Sequence, residues 1–145
     1  MTHLTHTTKS ISEKNITRKW HMVDGKDQVL GRMIPHISTL LQGKHKVNYV
    51  PYLDVGDYVV VVNAAHIKVT GKKELTKKYT YFSGFPGGLR EVTLQNMRIN
   101  NPEEIIIHAV KGMLPKNKLR DQRLTRLYVF ADAKHPYTHQ FTKQG

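Results

Sequence analysis

Three clusters of basic residues are the groups in this sequence with the clearest chemical potential. Clustered Lys and Arg neutralise phosphates, and Tyr rings stack on unpaired bases, so the pattern predicts a surface that binds a polyanion. In the third cluster Asp121 is the only acid between Lys111 and Arg126. The candidate binding residues are Lys44, His45 and Lys46 in the first cluster, Lys68, Lys72, Lys73, Lys77, Lys78, Tyr79, Tyr81 and Arg90 in the second, and Lys111, Lys116, Asn117, Lys118, Arg120 and Arg123 in the third.

Composition narrows the identity of that polyanion. The 145 residues include 23 Lys and Arg against 11 acids, a formal charge of +12, and such an excess favours an anionic partner. The longest apolar run, Tyr58 to Val62, is too short to span a bilayer, which argues against a membrane partner. The chain has no signature of an RNA-recognition sheet, zinc finger or helix-turn-helix. We therefore predict binding of folded RNA by shape and backbone.

The glycine-rich stretch from Ser83 to Leu89 carries neither the phosphate-loop nor the dinucleotide-binding spacing. Its glycines predict a tight turn with positive φ angles. Because glycine has no side chain, Gly87 and Gly88 are also predicted to let the backbone approach phosphate. This stretch lies between cations of the second cluster and is expected to belong to the same surface.

Carboxylates and histidines offer few catalytic or metal-binding patterns. Asp54 and Asp57 could form an acid–base or metal pair, yet the spacing around Gly56 is typical of a simple turn. His135 and His139 have the spacing of a zinc helix, but Pro136 interrupts it. With no cysteine, thiolate catalysis and disulfides are excluded. We predict no catalytic residue, metal, cofactor or small-molecule substrate.

Hydrophobic periodicity places these residues on an alternation of strands and helices. Strands are predicted at 20–23, 58–63, 66–70 and 127–130, and a long loop at 74–90. The first helix is expected to begin near Met33 or Ile34, with Pro35 in its first turn, and to end at Gly43. Three further helices are expected, the first capped by Thr93, the second beginning at Asn101 and Pro102, and the third capped by Asn117.

This order predicts an α/β fold: a single three-layer domain with a small, largely parallel sheet of about four strands flanked by helices. The expected division is a flexible tail at 1–17, one RNA-binding domain at 18–135 and a C-terminal tail at 136–145. No composition shift marks a second domain.

Six motifs occur in one order and carry a family resemblance: LGR (30–32), GKHK (43–46), GDYVVVVNA (56–64), VTGKK (69–73), SGFPGGL (83–89) and AVKGMLPKN (109–117). Together they closely resemble the bacterial-type large ribosomal subunit protein L-thirteen family over about Trp20 to His135. The chain differs from the usual family pattern at Pro35, at Tyr81-Phe82, at Arg120-Asp121 and in its N-terminal tail.

The resemblance implies a structural protein that binds large-subunit ribosomal RNA beside neighbouring ribosomal proteins and helps to fold that RNA during assembly, without catalysis. It implies a ribosome in the cytoplasm, with an organellar ribosome of bacterial descent left open. Two alternatives also stay open. The same basic surface would serve a free translational repressor that holds messenger RNA, and the glycine-rich loop with Asp54 or Asp57 would serve a phosphate-substrate transferase.

Overall fold

Runs of β-branched residues build a parallel sheet at the centre of the protein. The computed structural model describes residues 9–143, and among these no helix is both long and apolar enough to cross a membrane. The strands are β1 (Trp20–Asp24), β2 (Tyr58–Val62), β3 (Lys78–Phe82), β4 (Leu89–Thr93) and β5 (Leu127–Val129). The helices are α1 (Leu30–Gln42), α2 (Lys73–Thr76), α3 (Leu94–Asn100), α4 (Pro102–Met113), α5 (Leu119–Leu124) and α6 (Thr138–Thr142), with single 3-10 turns at Glu13–Asn15 and Ala64–His66.

The main sheet has the order β1-β2-β5, and both pairings are parallel. Consecutive strand residues point to opposite faces, and this alternation divides the side chains into two sets. Val59 and Val61 of β2, with Leu127 and Val129 of β5, join the apolar core on one face. The predicted α/β class with a small, largely parallel sheet is confirmed.

Helices α1 and α4 cover the core face of this sheet. In α1, Ile37 and Leu41 recur at helical spacing and are fully buried, as are Ile105, Ile106 and Val110 in α4. Burying a side chain of this size contributes about 1.5–3 kcal/mol, so this packed layer is the main source of stability. The two helices therefore hold the loops that follow them in fixed positions.

Aromatic rings cover the opposite face. Trp20 stacks on its register partner Tyr58 with ring centroids 4.4 Å apart, and Tyr137 stacks on Trp20 at 5.2 Å. Phe141 of α6 meets Trp20 edge-on. The segment 136–145, expected to be a tail, thus contains a helix within its described part. Aromatic contact with the sheet explains why this polar stretch becomes ordered.

The predicted third strand and long loop are both wrong in detail. Of residues 66–70, only Lys68 forms a β-bridge, with Val29. The segment 74–90 instead contributes to α2 and to an antiparallel hairpin of β3 and β4, separate from the main sheet. Only Tyr79 of β3 is buried, so this hairpin lacks the alternating apolar pattern that marks a strand in sequence.

The first helix begins earlier than predicted, at Leu30, so Pro35 is its sixth residue. Proline at that position removes the hydrogen bond to the carbonyl of Gly31. Gly31 and Pro35 are both exposed, and water can satisfy this carbonyl. The predicted end is confirmed, because Gly43 adopts φ 79° and donates its N–H to the Thr39 and Leu40 carbonyls.

The other helix predictions are largely confirmed. Thr93 caps α3 by accepting a hydrogen bond from the Asn96 N–H, and Pro102 opens α4. Asn117 accepts from the Leu119 N–H at the start of α5. Of the predicted N-terminal tail, residues 1–8 lie outside the described part of the chain, as do residues 144 and 145. The division into domain and tails stays a prediction.

Gly56 tests the packing between the end of α1 and the start of β2. A Cβ at this position would lie 1.6 Å from the Leu41 carbonyl oxygen. We expect Gly56→Ala to lower the free energy of unfolding by about 3 kcal/mol, as overpacking of a rigid backbone contact does. Gly112→Ala is the matched control, because a Cβ there meets nothing within 4 Å. Urea denaturation measures both, and equal stability of the two variants would contradict the expectation.

Candidate nucleic-acid interface

Most of the predicted binding residues lie on the surface. The structure leaves exposed Lys44, His45, Lys68, Lys72, Lys73, Lys77, Lys78, Tyr81, Gly87, Arg90, Lys111, Lys116, Asn117 and Lys118. Their exposure makes them available to a partner, and their role in binding stays a prediction.

The second cluster borders α4, the helix that carries Lys111 of the third cluster, at a cavity of about 210 Å³. Lys68, Lys73 and Lys77 of the second cluster line it together with Ala109 and Met113 of α4. The cavity has an apolar floor and a rim of ammonium groups. We call the exposed residues of these two clusters the basic face. The first cluster does not line this cavity.

The β3–β4 hairpin, which is separate from the main sheet, carries part of the second cluster. Tyr81 of β3 pairs in register with Arg90 of β4, and both side chains are exposed. Phe82 and Phe85 are 69% and 74% exposed, an uncommon state for large apolar rings. Sequence analysis left these two rings out of the candidate set, although their position beside the glycine-rich stretch was the available signal.

Glycines shape the end of this hairpin. Gly84 and Gly87 adopt φ angles of 85° and 73°, as the turn prediction required. Gly88 is close-packed within the turn itself, because a Cβ there would lie 1.9 Å from Ser83 Oγ. Gly87 has open space on its Cα, so of the two predicted glycines it is the one that leaves room for an approaching backbone.

Tyr79 corrects the prediction that it stacks on an unpaired base. Its side chain is 5% exposed, its ring packs edge-on against His108 at 5.1 Å, and Lys77 Nζ lies 5.4 Å from the ring centroid. Burial raises the pKa of its phenol, with a smaller contribution from Tyr81. Tyr79 is therefore the residue that fixes the hairpin to the core.

Arg123 likewise corrects the prediction that it faces phosphate. It is 1% exposed, and its Nε lies 3.8 Å from Asp54 Oδ1. Arg120, in the preceding turn of α5, is half-buried with its Nε enclosed. Helical spacing explains both positions, because α5 turns one of its faces towards the core. Lys111, Lys116 and Lys118 remain as the exposed cations of the third cluster.

Asp54 belongs to a buried ionic junction. Its carboxylate pairs with both terminal nitrogens of Arg126, and Arg126 Nη2 also donates to the Leu41 carbonyl at 3.1 Å. Arg18 donates to the carbonyls of Asp54 and Gly56, at 2.8 and 2.5 Å. Bidentate guanidinium pairs of this kind are strong and directional. Sequence analysis missed this role for Arg126, which is 6% exposed.

Asp57 is a buried carboxylate that binds two side chains of the first cluster, whose role in RNA binding stays a prediction. His45 Nε2 and His21 Nε2 lie 2.9 and 2.8 Å from its Oδ2. Lys46 Nζ lies 2.6 Å from Oδ1, which also accepts the Lys19 N–H. Lys46 is thus turned inward, and its remaining bonds go to the carbonyls of Thr17 and Val55. Only Lys44 of this cluster is a fully solvated cation.

The charge of Asp57 is maintained by its partners. Burial alone would raise the pKa of this carboxyl, but the hydrogen bonds from Lys46, His21 and the Lys19 N–H outweigh it, so the pKa lies below the ordinary value of an aspartate. Asp54 and Asp57 are therefore both committed to cations within the protein, and neither is placed as a free general base.

Arg98 is a further residue that sequence analysis missed. Its Nε and Nη2 bond both carboxylate oxygens of Glu74 at 2.8 and 2.9 Å, and its Nη1 donates to the carbonyls of Ala65 and Ile67. The guanidinium joins α3 to α2, from which the hairpin departs. It therefore helps to hold the basic face against the core.

Histidines form one possible ligand group within residues 9–143, namely His21 and His45 with Asp57. His135 and His139 are not part of such a group. His139 Nδ1 lies 3.1 Å from the Pro136 carbonyl, while the His135 ring packs on Phe130. Pro136 separates the two histidines as the sequence indicated, since α6 begins only at Thr138.

Comparison with known proteins identifies the class to which this basic α/β domain belongs. The family model described as "Ribosomal protein L13" matches residues 18–136. The chain therefore belongs to the ribosomal protein L13 family, and the resemblance drawn from the six motifs is confirmed.

Several bacterial relatives are similar along most of their length. The protein named "Large ribosomal subunit protein uL13" in Clostridioides difficile is 50% identical over 126 residues, which cover 87% of this chain and 88% of the relative. The proteins of the same name in Solibacter usitatus and Nitratidesulfovibrio vulgaris are 46% and 47% identical. These matches cover 89% and 92% of this chain, and 90% and 92% of the relatives.

The depressed pKa of Asp57 generates a prediction about acid stability. A carboxyl whose pKa is lower in the folded state stabilises the protein above its unfolded pKa, and this contribution is lost as pH falls through the folded value. At pH 7, Asp57→Asn should cost about 3 kcal/mol, because it leaves the Lys46 ammonium without its partner. The difference from the parent should shrink below about pH 4.

Urea denaturation of both proteins at pH 7 and pH 3 measures this difference. Asp121→Asn is the control, because Asp121 is an exposed carboxyl on α5. A constant difference between the parent and Asp57→Asn at the two pH values would show that Asp57 carries no such linkage.

Proposed function

We propose that this protein is a structural constituent of the large ribosomal subunit that binds and organises large-subunit ribosomal RNA, early in assembly. Membership of the ribosomal protein L13 family supports the subunit. The observation that carries the RNA-binding step is the basic face, in which exposed cations of residues 68–78 line a cavity beside α4, the helix that carries the exposed Lys111. The proposed location is the ribosome in the cytoplasm, beside other ribosomal proteins.

The basic face is suited to the backbone of folded RNA. Lys72, Lys73 and Lys77 carry no acidic partner among the ion pairs of residues 9–143, and such free ammonium groups neutralise phosphates and release counterions. The hairpin adds Arg90 and the exposed Tyr81 ring. Stacking on an unpaired base would bury the ring surface that water now covers.

The buried cations have a different task in this proposal. Arg98, Arg123 and Arg126 face carboxylates and carbonyls inside the protein, so they position the surface and leave contact with RNA to the lysines. A surface held rigidly loses little conformational entropy on binding. The same geometry supports a binding role over phosphate transfer, because Asp54 and Asp57 are held in internal ion pairs.

Co-sedimentation with ribosomal particles tests the proposed function. The parent protein should sediment with large subunits, and Lys111→Gln, Lys116→Gln and Lys118→Gln together should reduce the bound fraction about tenfold, since each lost phosphate contact weakens binding. The matched control replaces three exposed lysines outside the clusters, Lys9, Lys14 and Lys143, by Gln. A parent protein found free of particles in a lysate with intact ribosomes would overturn the proposal.

The salt dependence of binding to purified large-subunit RNA tests the phosphate contacts separately. If about six phosphates are neutralised, affinity should fall about a thousandfold between 50 and 200 mM salt. The triple substitution at Lys111, Lys116 and Lys118 should reduce the slope of log affinity against log salt by about 2–3. A flat response would show that phosphate neutralisation does not drive binding, and preference for the protein's own messenger RNA would favour repression.

A further inference from the structure

A cluster of donor atoms outside the basic face has the composition of a metal site. His21 Nε2, His45 Nε2 and an Asp57 carboxylate oxygen all lie within 4.8 Å of one another. We propose that these three side chains bind one divalent transition-metal ion of the Zn²⁺ type. Two imidazole nitrogens and one carboxylate oxygen form a donor set that such ions prefer, with a fourth position left for water.

The distances between the three ligand atoms are close to those expected around a bound ion. Both imidazole nitrogens already approach the same oxygen, Asp57 Oδ2, at 2.8 and 2.9 Å. Ligands at about 2.0–2.2 Å from a tetrahedral zinc ion lie about 3.3 Å from each other. The two imidazole–oxygen distances must therefore lengthen by about half an ångström to admit an ion, and the two imidazole nitrogens already lie within 4.8 Å of each other.

One ligand lies in a strand, and the other two lie close to the ends of regular elements. His21 lies in β1, and Asp57 comes directly before β2, which pairs with β1. His45 follows the Gly43 cap of α1 by two residues. Asp57 is fully buried, and its backbone N–H donates to the Leu40 carbonyl at 3.0 Å. A site on such elements is largely preformed, so little conformational entropy is lost on binding.

The two oxygens of Asp57 divide the hydrogen bonds in a way that leaves one free for an ion. Oδ1 is held by Lys46 Nζ and the Lys19 N–H, whereas the hydrogen bonds of Oδ2 within residues 9–143 go to the two imidazoles. In the metal-free protein each ring must donate its Nε2 proton to the ionised carboxylate. On metal binding, each neutral ring carries its proton on Nδ1 and offers the Nε2 lone pair to the ion.

Two further features set the expected strength of the site. The Lys46 ammonium repels a cation, which weakens binding, but its bonds to the Thr17 and Val55 carbonyls hold it at the opposite oxygen. A cleft beside the cluster, lined by Lys19, Val47 and Asn48 among others, gives room for a water ligand. We therefore expect binding of one ion per chain, weaker than at a closed structural zinc site.

Titration of the full chain with Co²⁺ tests the proposal, because cobalt reports coordination through its visible absorption. Every protein in the titration carries His3→Gln and His6→Gln, because these two N-terminal histidines could bind metal independently. We expect one equivalent of Co²⁺ to produce the spectrum of a low-coordinate nitrogen and oxygen site, and Zn²⁺ to displace it. His21→Gln and His45→Gln should each weaken binding at least tenfold.

His36→Gln is the matched control, because His36 is exposed on α1 and should leave binding unchanged. Glutamine at position 21 or 45 keeps a donor for Asp57, and thermal melting verifies that each variant folds. Nitrogen-15 spectra of the imidazoles provide a second measurement, in which Zn²⁺ should shift only His21 and His45. Absent binding to the folded parent, or equal binding by the parent and both His variants, would overturn the proposal whatever the outcome of the RNA experiments.

Discussion

The turn from Asp54 to Asp57 is the constraint on which the rest of the structure depends. It places two buried carboxylates where α1 ends and β2 begins, and Gly56 between them touches the Leu41 carbonyl. Carboxylates removed from water are costly unless they are paired and hydrogen-bonded. Arg126 meets one of them and Lys46 the other, which ties the turn to the start of β5 and to the end of α1. The connection fixes the end of α1 against the starts of β2 and β5.

This arrangement divides the positive charge of the chain into two populations. Cations such as Arg123 and Arg126 are buried inside the protein, where they lie against carboxylates and carbonyl groups. Those on the basic face, such as Lys73 and Lys111, remain in water. The formal charge of +12 therefore does not describe how unevenly the positive charge is distributed over the protein. Self-repulsion between the exposed lysines is relieved when an anionic partner is bound.

Local signals in the sequence predicted the central elements well. The valine run of β2, the Gly43 cap, and the Asn101-Pro102 start of α4 each depend on neighbouring residues only, and each is confirmed. The β3–β4 hairpin was not predicted, because most of its side chains are exposed and show no apolar alternation. Cross-strand pairing and the buried Tyr79 stabilise it. The position of Pro35 led to a predicted start of α1 that is too late. The helix includes Pro35 because burial of the apolar stripe of α1 outweighs the one hydrogen bond that proline removes.

The candidate site likewise combines residues that a local sequence pattern reveals with residues whose roles depend on partners far away in the sequence. The basic character of residues 68–78 and 111–118 is visible in sequence, whereas the burial of Arg123 and Lys46 depends on Asp54 and Asp57. Asp54 and Arg126 are 72 residues apart, and His21 and Asp57 are 36 apart. No local pattern encodes such pairs, so sequence alone assigned these cations to the surface.

The aromatic face of the sheet has a consequence for the order in which the chain can be completed. Trp20 lies in the first strand, yet Tyr137 and Phe141, which pack on it, come from a segment that follows the last strand of the sheet. A chain synthesised from its N-terminus can pair β1 with β2 early, but this face lacks the rings of Tyr137 and Phe141 until α6 has been made and has docked. Trp20 is the single tryptophan of the sequence, so its fluorescence reports the docking of α6 on the sheet.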